Sequence, residues 1–322
     1  MVEIDVGVLL PTRGLLLEEE QPQDASLLLR LARRAEEGGV DSLWVGDSLT
    51  AKPRLEPLTT LGAVATATRR VRLGTAVLLA ALRHPVALAQ AAGSVDLLSG
   101  GRLTLGVGVG GAFNEAQRRE WRNAGVDPRT RARRFEEVVE VARRLLRGEV
   151  VTFRGRHFRL ERVTTRPTAV SPAGVPFLVA CHWRAGREAQ FRRAARLGDG
   201  LISISDYPHE YAQVVERVKG YAQELGRDAD SLETAFYMTV ALGDDGPAVH
   251  REAMEFLDRY YGIGDFWGDR WGPYGPPEAT AERALRYVEA GARTVVFRFA
   301  SRRQEEQLEL FLERVLPLLR RA

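Results

Sequence analysis

The sequence predicts one α/β domain of 322 residues, folded as a closed parallel (β/α)8 barrel of the TIM type. Three observations predict it: eight apolar runs of strand length, a helical pattern after each run, and no Gly/Pro/Ser-rich linker to divide the chain. Several runs are almost uniformly apolar, as strands buried on both faces should be. A two-domain protein built from doubly wound Rossmann sheets is the structural alternative.

The elements follow one another in a regular alternation, closed by one extra helix at the end. Each helix shows apolar residues at helical spacing, and each strand is a short apolar run. The predicted strands are 4–10, 42–45, 71–76, 103–107, 177–179, 200–204, 234–240 and 294–299. The predicted helices are 25–37, 57–68, 85–98, 131–147, 187–197, 210–225, 249–260, 278–290 and 305–319.

Two insertions interrupt this alternation, at about 148–176 and 262–277. In a barrel such insertions are expected as loops around the face that carries the active site. The second places four aromatic residues among glycines, which predicts a mobile lid for an apolar or aromatic substrate, with a well-packed structural loop as the alternative. The four aromatic residues are Phe266, Trp267, Trp271 and Tyr274.

Composition excludes several classes of protein. The 46 Lys and Arg residues nearly balance 43 Asp and Glu, so no basic surface for a nucleic acid is expected. No apolar run approaches the roughly 20 residues that span a bilayer, and the chain starts without a basic signal sequence, so we expect a cytoplasmic protein. The single cysteine, Cys181, excludes an internal disulfide, and the histidines show no spacing that predicts a metal site.

Two helices lack the polar face that an outer barrel helix should present to water. The helix at 57–68 has no charged residue after its first position, and the helix at 85–98 has only Asp96. Something must cover these helices. We expect a homodimer interface there, with burial under the chain's own C-terminal helix as the alternative.

The segment from Gly106 to Gly111 satisfies the G-x-G-x-x-G spacing of dinucleotide-binding proteins. Its position argues against that role, because it follows the fourth strand and precedes a polar stretch with no strand behind it. What remains is a strand end without side chains, where a flat ring or another backbone can come close.

The same region carries a specific family resemblance. The segments Leu-Gly-Thr-Ala-Val (73–77), Arg-His-Pro (83–85), Leu-Ser-Gly-Gly-Arg (98–102) and Leu-Gly-Val-Gly-Val-Gly (105–110) closely resemble those of the bacterial luciferase-like flavin-dependent oxidoreductases. Segments 35–47, 131–137 and 194–200 extend the resemblance over most of the chain. The family fold is a (β/α)8 barrel, in agreement with the count of strands.

The resemblance implies a cofactor site at the ends of the third to fifth strands. In the family, a flavin or deazaflavin ring rests on a bulge of the third strand that contains a non-prolyl cis peptide. Here the bulge matches Thr75, Ala76 and Val77, with the cis bond between Ala76 and Val77, and Gly106, Gly108 and Gly110 would leave the ring room. The cofactor phosphate would lie at the loop after the fifth strand. The residues matched there are Ala180, Cys181, His182, Arg184, Gly186 and Arg187, with Arg131 as a further contact.

Departures from the family pattern limit the activity. Luciferase and the family's sugar-phosphate dehydrogenases place a catalytic histidine where this chain has Ser48, directly after Asp47. They also place an arginine and a glutamate, respectively, where this chain has Val109 and Gly111, so neither activity is expected. Asp47 and Ser48 remain the candidate catalytic residues, and Asp47 serves either in proton transfer or as an anchor of the strand end.

The expected function is therefore a luciferase-like oxidoreductase acting on a small organic substrate. The first expectation is an FMN-dependent monooxygenase that receives reduced flavin from a separate reductase and uses oxygen. The alternative is hydride transfer with coenzyme F420, which needs no oxygen. A second alternative is a flavin-binding protein without catalysis.

Overall fold

The computed structural model describes residues 4–18, 22–262 and 268–321, which form a closed barrel of eight parallel strands. Each strand pairs with the next in the chain, and the eighth pairs with the first. The eight predicted strands are thus confirmed, and the doubly wound alternative is wrong. The strands are β1 (Asp5–Leu9), β2 (Ser42–Val45), β3 (Arg72–Leu78), β4 (Leu103–Val107), β5 (Phe177–Ala180), β6 (Gly200–Ile204), β7 (Glu233–Leu242) and β8 (Thr294–Phe299).

Helices surround the barrel at the predicted positions. The structure adds two short helices, α1 and α5, and the last helix passes through a π-helical turn at Phe311–Val315. The helices are α1 (Gly14–Glu18), α2 (Ser26–Glu37), α3 (Pro57–Ala67), α4 (Pro85–Ser99), α5 (Glu115–Asn123), α6 (Arg131–Leu146), α7 (Glu188–Leu197), α8 (Pro208–Glu224), α9 (Gly246–Tyr261), α10 (Pro277–Glu289), α11 (Gln304–Leu310) and α12 (Leu316–Arg321). None of these helices is long and apolar enough to cross a bilayer.

The barrel interior is filled in layers up to the carboxyl ends of the strands. At the opposite end, Arg72 pairs with Asp5 through Nε at 3.1 Å and with Glu233 through Nη1 at 2.9 Å. Above them lies the fully buried indole of Trp44, and a Cβ atom at Gly7 or Gly74 would collide with it. The interior is therefore closed below, and space for a ligand remains only at the carboxyl ends.

The insertion at 148–176 connects α6 to β5 and forms an antiparallel hairpin of strands Val151–Arg154 and Arg159–Val163. The Glu137 carboxylate on α6 accepts hydrogen bonds from the backbone amides of residues 156–158, which fixes the hairpin to the outer wall. The insertion starts away from the carboxyl ends of the strands, but Phe158 at the hairpin tip packs on His84 and Arg134, at the starts of α4 and α6. The hairpin thus runs along the outer wall toward the carboxyl ends, and it contributes no residue to the cavity described below.

The outer face of α3 and α4 carries small and apolar side chains. Leu97 and Leu98 at the end of α4 are 59% and 58% exposed. The C-terminal helices do not cover this face, because Arg34 on α2 pairs with Glu309, and Arg320 pairs with Asp41 before β2. Burial under the C-terminal helix is thus excluded as the reason for the missing charges.

Candidate active site

A cavity of about 210 Å³ opens at the carboxyl ends of the barrel strands. Its walls come from the loops after β2 to β5, the ends of β6 and β7, and helices α5 and α9. Active sites of (β/α)8 barrels lie at this end. The residues that line the cavity are Asp47, Ser48, Ala51, Lys52, Arg54, Ala76, Val77, Leu79, Gly111, Gln117, Glu120, Ala180, His182, Ile202, Ser203, Ile204, Tyr237 and Tyr261.

The β3 bulge forms one wall. The register between β3 and β4 shifts between Thr75 and Leu78, and the Ala76–Val77 peptide bond is cis, as predicted. Ala76 and Val77 line the cavity. Thr75 does not, because its side chain is buried and its Oγ1 donates a hydrogen bond to the Gly106 carbonyl at 2.8 Å. Thr75 therefore ties the bulge to β4, and Ala76 and Val77 present the surface.

The glycines at the end of β4 and just after it allow the β3 bulge to come close. A Cβ atom at Gly106 would collide with the Thr75 carbonyl oxygen, and one at Gly108 would lie 2.7 Å from Cγ2 of Val77. Gly110 has a φ of +80°, which disfavours any other residue. The expectation that Gly106 and Gly108 leave space for a cofactor ring is corrected, since the β3 bulge fills that space.

Asp47 anchors the strand end. Its side chain is only 2% exposed, and its carboxylate accepts hydrogen bonds from Arg83 Nη1 at 2.5 Å, Arg83 Nη2 at 3.1 Å and the Leu79 amide at 2.8 Å. With both oxygens engaged in this way, Asp47 joins the loops after β2 and β3. Of the two roles left open by the sequence, the geometry supports the anchor.

Ser48 is likewise engaged, and its partner is a residue that sequence reasoning missed. Ser48 Oγ donates a hydrogen bond to Glu120 Oε1 at 2.8 Å and accepts one from the Lys52 amide at 2.9 Å. Glu120, on α5, also accepts from the amides of Thr50 and Ala51. The carboxylate thus holds the loop 48–52. Nothing in the sequence separates Glu120 from the other charged residues of α5.

The loop after β5 contributes Ala180 and His182 to the cavity. His182 Nδ1 lies 3.3 Å from Ser203 Oγ, which donates a hydrogen bond to Asp206 Oδ2 at 2.6 Å. Burial lowers the pKa of His182, opposed by the nearby Asp206. Cys181 was expected at the cofactor, but its side chain is fully buried in the core, and burial raises the pKa of its thiol. The alternation of side chains along a strand end puts Cys181 on the far face from its neighbours.

The predicted phosphate residues lie close together at the start of α7. Gly186 adopts the left-handed conformation, with φ +58°, between a 3₁₀ turn (Trp183–Ala185) and α7, and no side chain caps the first amides of that helix. Arg184 and Arg187 are exposed. Arg131 donates through Nε to the Gly110 carbonyl at 3.0 Å, and its pKa is lowered by burial and by the neighbouring Arg187. A helix start without a side-chain cap, together with positive charge, makes this loop suitable for an anion.

The residues predicted as a lid divide into two groups. Phe266 and Trp267 lie outside the described residues. Trp271 is 6% exposed, contacts the ring of Tyr261 at 4.9 Å between centroids, and donates its Nε1 hydrogen to Ser205 Oγ. Tyr274 begins a two-residue strand, Tyr274–Gly275, that pairs with β7. Trp271 and Tyr274 are packed as in the structural-loop alternative, and neither lines the cavity.

The loop after β2 contributes two basic residues to the cavity that sequence reasoning missed. Lys52 and Arg54 line the cavity beside Tyr237 and Tyr261. The pKa of Lys52 is lowered to about 8 by burial and by the positive charges of Arg54 and Arg13. Isolated basic residues in a loop show no pattern, although Lys52 is one of only two lysines in the chain. Among the described residues no group of three or more His, Cys, Asp or Glu is placed to hold a metal.

Comparison with known proteins agrees with this architecture. The F420-dependent glucose-6-phosphate dehydrogenase of Amycolatopsis mediterranei is 31% identical over 94% of this chain and 96% of the relative. That of Nakamurella multipartita is 30% identical over 92% of this chain and 93% of its own. An F420-dependent secondary alcohol dehydrogenase shares the fold at a TM-score of 0.80 and 20% identity, covering 98% of this chain and 99% of its own.

A monooxygenase of Streptomyces bottropensis also has this fold, at a TM-score of 0.80 and 24% identity, covering 98% of this chain and 99% of its own. The sequence model described as luciferase-like monooxygenase matches residues 4–296. The barrel, the bulge of β3 and these matches together show that the chain belongs to the luciferase-like family of oxidoreductases.

Proposed function

We propose that the protein is an F420-dependent oxidoreductase that transfers a hydride to or from a small organic substrate. The observation that carries the choice of cofactor is the likeness, at 30 to 31% identity and over nearly the full length, to enzymes named as F420-dependent. The first expectation from the sequence was an FMN-dependent monooxygenase that uses oxygen and a partner reductase. We propose instead the alternative, hydride transfer with coenzyme F420.

The residues present fit a deazaflavin. Ala76 and Val77, with Ala180 beside them, offer an apolar wall for a ring. The start of α7, which has no side-chain cap, suits the phosphate of its side chain together with Arg184, Arg187 and Arg131. When bound, such a cofactor exchanges a hydride with the substrate.

His182 is the residue we assign to proton transfer, in place of the family histidine that is Ser48 here. In the tautomer that carries its hydrogen on Nδ1, this atom donates to Ser203 Oγ at 3.3 Å, and Nε2, which makes no hydrogen bond within the described residues, has a free lone pair. The lowered pKa keeps the ring neutral at neutral pH, so Nε2 can accept a proton from a substrate hydroxyl. Asp206, linked through Ser203, stabilises the resulting positive charge.

The proposed substrate differs from that of the glucose-6-phosphate dehydrogenases. The family histidine and glutamate of those enzymes are replaced here by Ser48 and Gly111. Ser48 is moreover held by Glu120 and the Lys52 amide, so it cannot take over the histidine's role without breaking the loop. We therefore propose a substrate other than a sugar phosphate.

Equilibrium titration of the purified protein with F420 and with FMN tests the proposal. We expect F420 to bind and Arg184→Ala/Arg187→Ala to weaken binding about tenfold or more, because two charge-assisted contacts are lost. Arg33→Ala, at an exposed position on α2, serves as the matched control. Failure of both cofactors to bind would refute the proposal. Binding of FMN alone, with oxygen uptake on reduction, would restore the monooxygenase.

A His182→Ala variant tests the proton-transfer role separately. It should bind F420 normally and lose turnover, with the low-pH limb of the rate profile removed. If the profile of the variant keeps that limb, another group carries the proton.

A further inference from the structure

Four basic side chains gather at and behind the part of the cavity wall that follows β2, close to the ends of β1 and β8. Arg13 follows β1, Lys52 and Arg54 follow β2, and Arg298 lies near the end of β8. Each of the four lies within cation–π distance of the ring of Tyr260 or Tyr261. The positive charges of the three arginines also lower the pKa of Lys52. We call these four residues the basic cluster.

The cluster has no carboxylate partner within the described residues. Arg13 donates to the carbonyls of Tyr260 and Pro53. Arg54 donates to the Lys52 carbonyl at 3.2 Å, and Lys52 Nζ lies 4.2 Å from the ring centroid of Tyr261. The carboxylate that lines the cavity nearby, Asp47, is already engaged by Arg83.

Arg298 is the most deeply placed member. It is 3% exposed, and it donates to the hydroxyls of Tyr261 and Thr239. Its Nε is buried and has no hydrogen-bond partner. The aromatic rings of Tyr237 and Trp271, at 5.5 and 5.1 Å, complete its surroundings. Aromatic faces attract a cation but do not neutralise it.

Two half-buried arginines elsewhere in the barrel have carboxylate partners. Arg72 pairs with Asp5 and Glu233 at the bottom of the barrel, and Arg83 pairs with Asp47 and Glu56. Buried charges are expected to be paired, because burial of an unpaired charge is costly. Among the described residues the four cations of the cluster have no counter-ion, and two of them line an open cavity, which points to a ligand as the counter-ion.

The position of the cluster separates it from the proposed cofactor phosphate. In the order in which the strands pair, β8, β1 and β2 are consecutive. The phosphate loop follows β5, which is separated from β2 by β3 and β4. The cavity extends from one to the other, from Lys52 and Arg54 to Ala180 and His182. A molecule held at the cluster would reach toward His182 and the β3 bulge.

We propose that Lys52 and Arg54 bind an oxyanion of the substrate, a carboxylate or a phosphate, with Arg13 and Arg298 strengthening the positive potential behind them. The identification of this ligand as the substrate rests on the proposed function. The substrate class is then an acidic small molecule. Guanidinium and ammonium groups are the side chains that recognise such oxyanions. Charge on the substrate would orient its reacting carbon away from the cluster and toward the cofactor wall.

The first test measures binding to the cofactor-free protein by calorimetry, with benzoate, phenyl phosphate and the neutral isostere benzamide. We expect at least one of the two anions to bind about tenfold or more tightly than benzamide, which corresponds to about 1.4 kcal/mol. Preference for benzoate or for phenyl phosphate identifies the oxyanion. Equal affinities of all three would overturn the proposal, and so would no binding of any of them.

The second test uses the only two lysines. Lys52→Met and Arg54→Met should each weaken binding of the preferred anion about tenfold, whereas Lys219→Met, on an exposed lysine paired with Asp230, should not change it. NMR of the wild-type protein labelled at the lysine Cε carbon follows Lys52 directly. A variant is needed only to assign its signal. The pKa of Lys52 should rise when the anion is added, and a pKa that does not move would contradict the proposal.

A third measurement separates this inference from the proposed function. F420 affinity is determined for wild type, Lys52→Met and Arg54→Met. Unchanged F420 binding with lost anion binding supports the cluster as a substrate site. Loss of F420 binding in both variants would assign the cluster to the cofactor and overturn it. Anion binding without any F420 binding would refute the cofactor and leave the oxyanion site standing.

Discussion

Arg83 engages Asp47 through both terminal nitrogens of its guanidinium, at 2.5 Å to Oδ2 and 3.1 Å to Oδ1. The pair is largely shielded from water, since the Asp47 side chain is 2% and the Arg83 side chain 19% exposed. The loops after β2 and β3, which form neighbouring parts of the cavity wall, are thereby fixed relative to one another. The pair explains why an acidic residue stands at the active-site end without serving as a base.

Asp47→Asn should therefore act on stability. We expect a loss of about 2 to 4 kcal/mol in the free energy of unfolding, because the largely buried Arg83 keeps only the more exposed Glu56 as a charged partner. Urea unfolding measures it. Asp127→Asn removes an exposed ion pair with Arg129 and should leave the stability nearly unchanged. An Asp47→Asn protein as stable as wild type would show that the ion pair contributes little.

Gly106→Ala should destabilise the protein by about 2 kcal/mol or more, since its Cβ would collide with the Thr75 carbonyl and displace the bulge. The matched control is Gly220→Ala. Gly220 lies in α8 with open space around it, so alanine there should stabilise by about 0.5 to 1 kcal/mol. Thermal unfolding compares the two, and a Gly106→Ala variant that unfolds with wild type would contradict the close approach of β3 and β4.

Lys52 predicts a pH dependence of stability. Its pKa is about 8 in the folded protein and near its ordinary value of 10.5 when unfolded, so the unfolded chain holds the proton more tightly. The penalty is complete below about pH 8 and disappears as the pH rises toward 10.5. Lys52→Met should thus be more stable than wild type at pH 7, by roughly 1 to 2 kcal/mol after allowance for solvent screening.

Denaturation at several pH values checks this, with Lys219→Met as the control. The difference between Lys52→Met and wild type should shrink steadily above pH 8. A difference independent of pH would mean that the gain comes from packing of the methionine and that the lysine has an ordinary pKa.

We propose that the uncharged face of α3 and α4 forms a homodimer interface. Leu97 and Leu98 are more than half exposed and have no cover from the C-terminal helices. Leu98→Glu should shift the protein from dimer to monomer in sedimentation at micromolar concentration, because it would bury a charge at the interface. Leu225→Glu, at an equally exposed leucine after α8, should not. A wild-type protein that sediments only as a monomer would refute the interface.

The barrel was predictable because its strands are continuous apolar runs and its helices have a regular apolar spacing. The cis bond at Ala76–Val77 was predictable for another reason, the family resemblance of residues 73–77. Helix α5 was missed because it is short and Trp121 is its only large apolar residue, which is too little to show a helical period. The one available signal was its capping box, in which Asn114 and Gln117 hydrogen-bond each other's backbone.

The site was harder to predict, because its chemistry depends on contacts between distant loops. Asp47 stands beside its strand in the sequence, but its partner Arg83 lies 36 residues away. The basic cluster combines residues from the beginning, the first quarter and the end of the chain, and each of them alone is an ordinary basic residue. Only closure of the barrel, which pairs β8 with β1, brings Arg298 near Arg13 and Lys52.

Glu120 has a consequence for anyone who would re-engineer this enzyme by exchanging loops with a relative. The carboxylate on α5 fixes the loop 48–52 through one hydroxyl and two amide hydrogens, so the position of Lys52 depends on a helix that follows a different strand. A transplanted β2 loop would arrive without the carboxylate that shapes it, and a transplanted α5 would leave the native loop unsupported. The loop after β2 and helix α5 can therefore be exchanged only together.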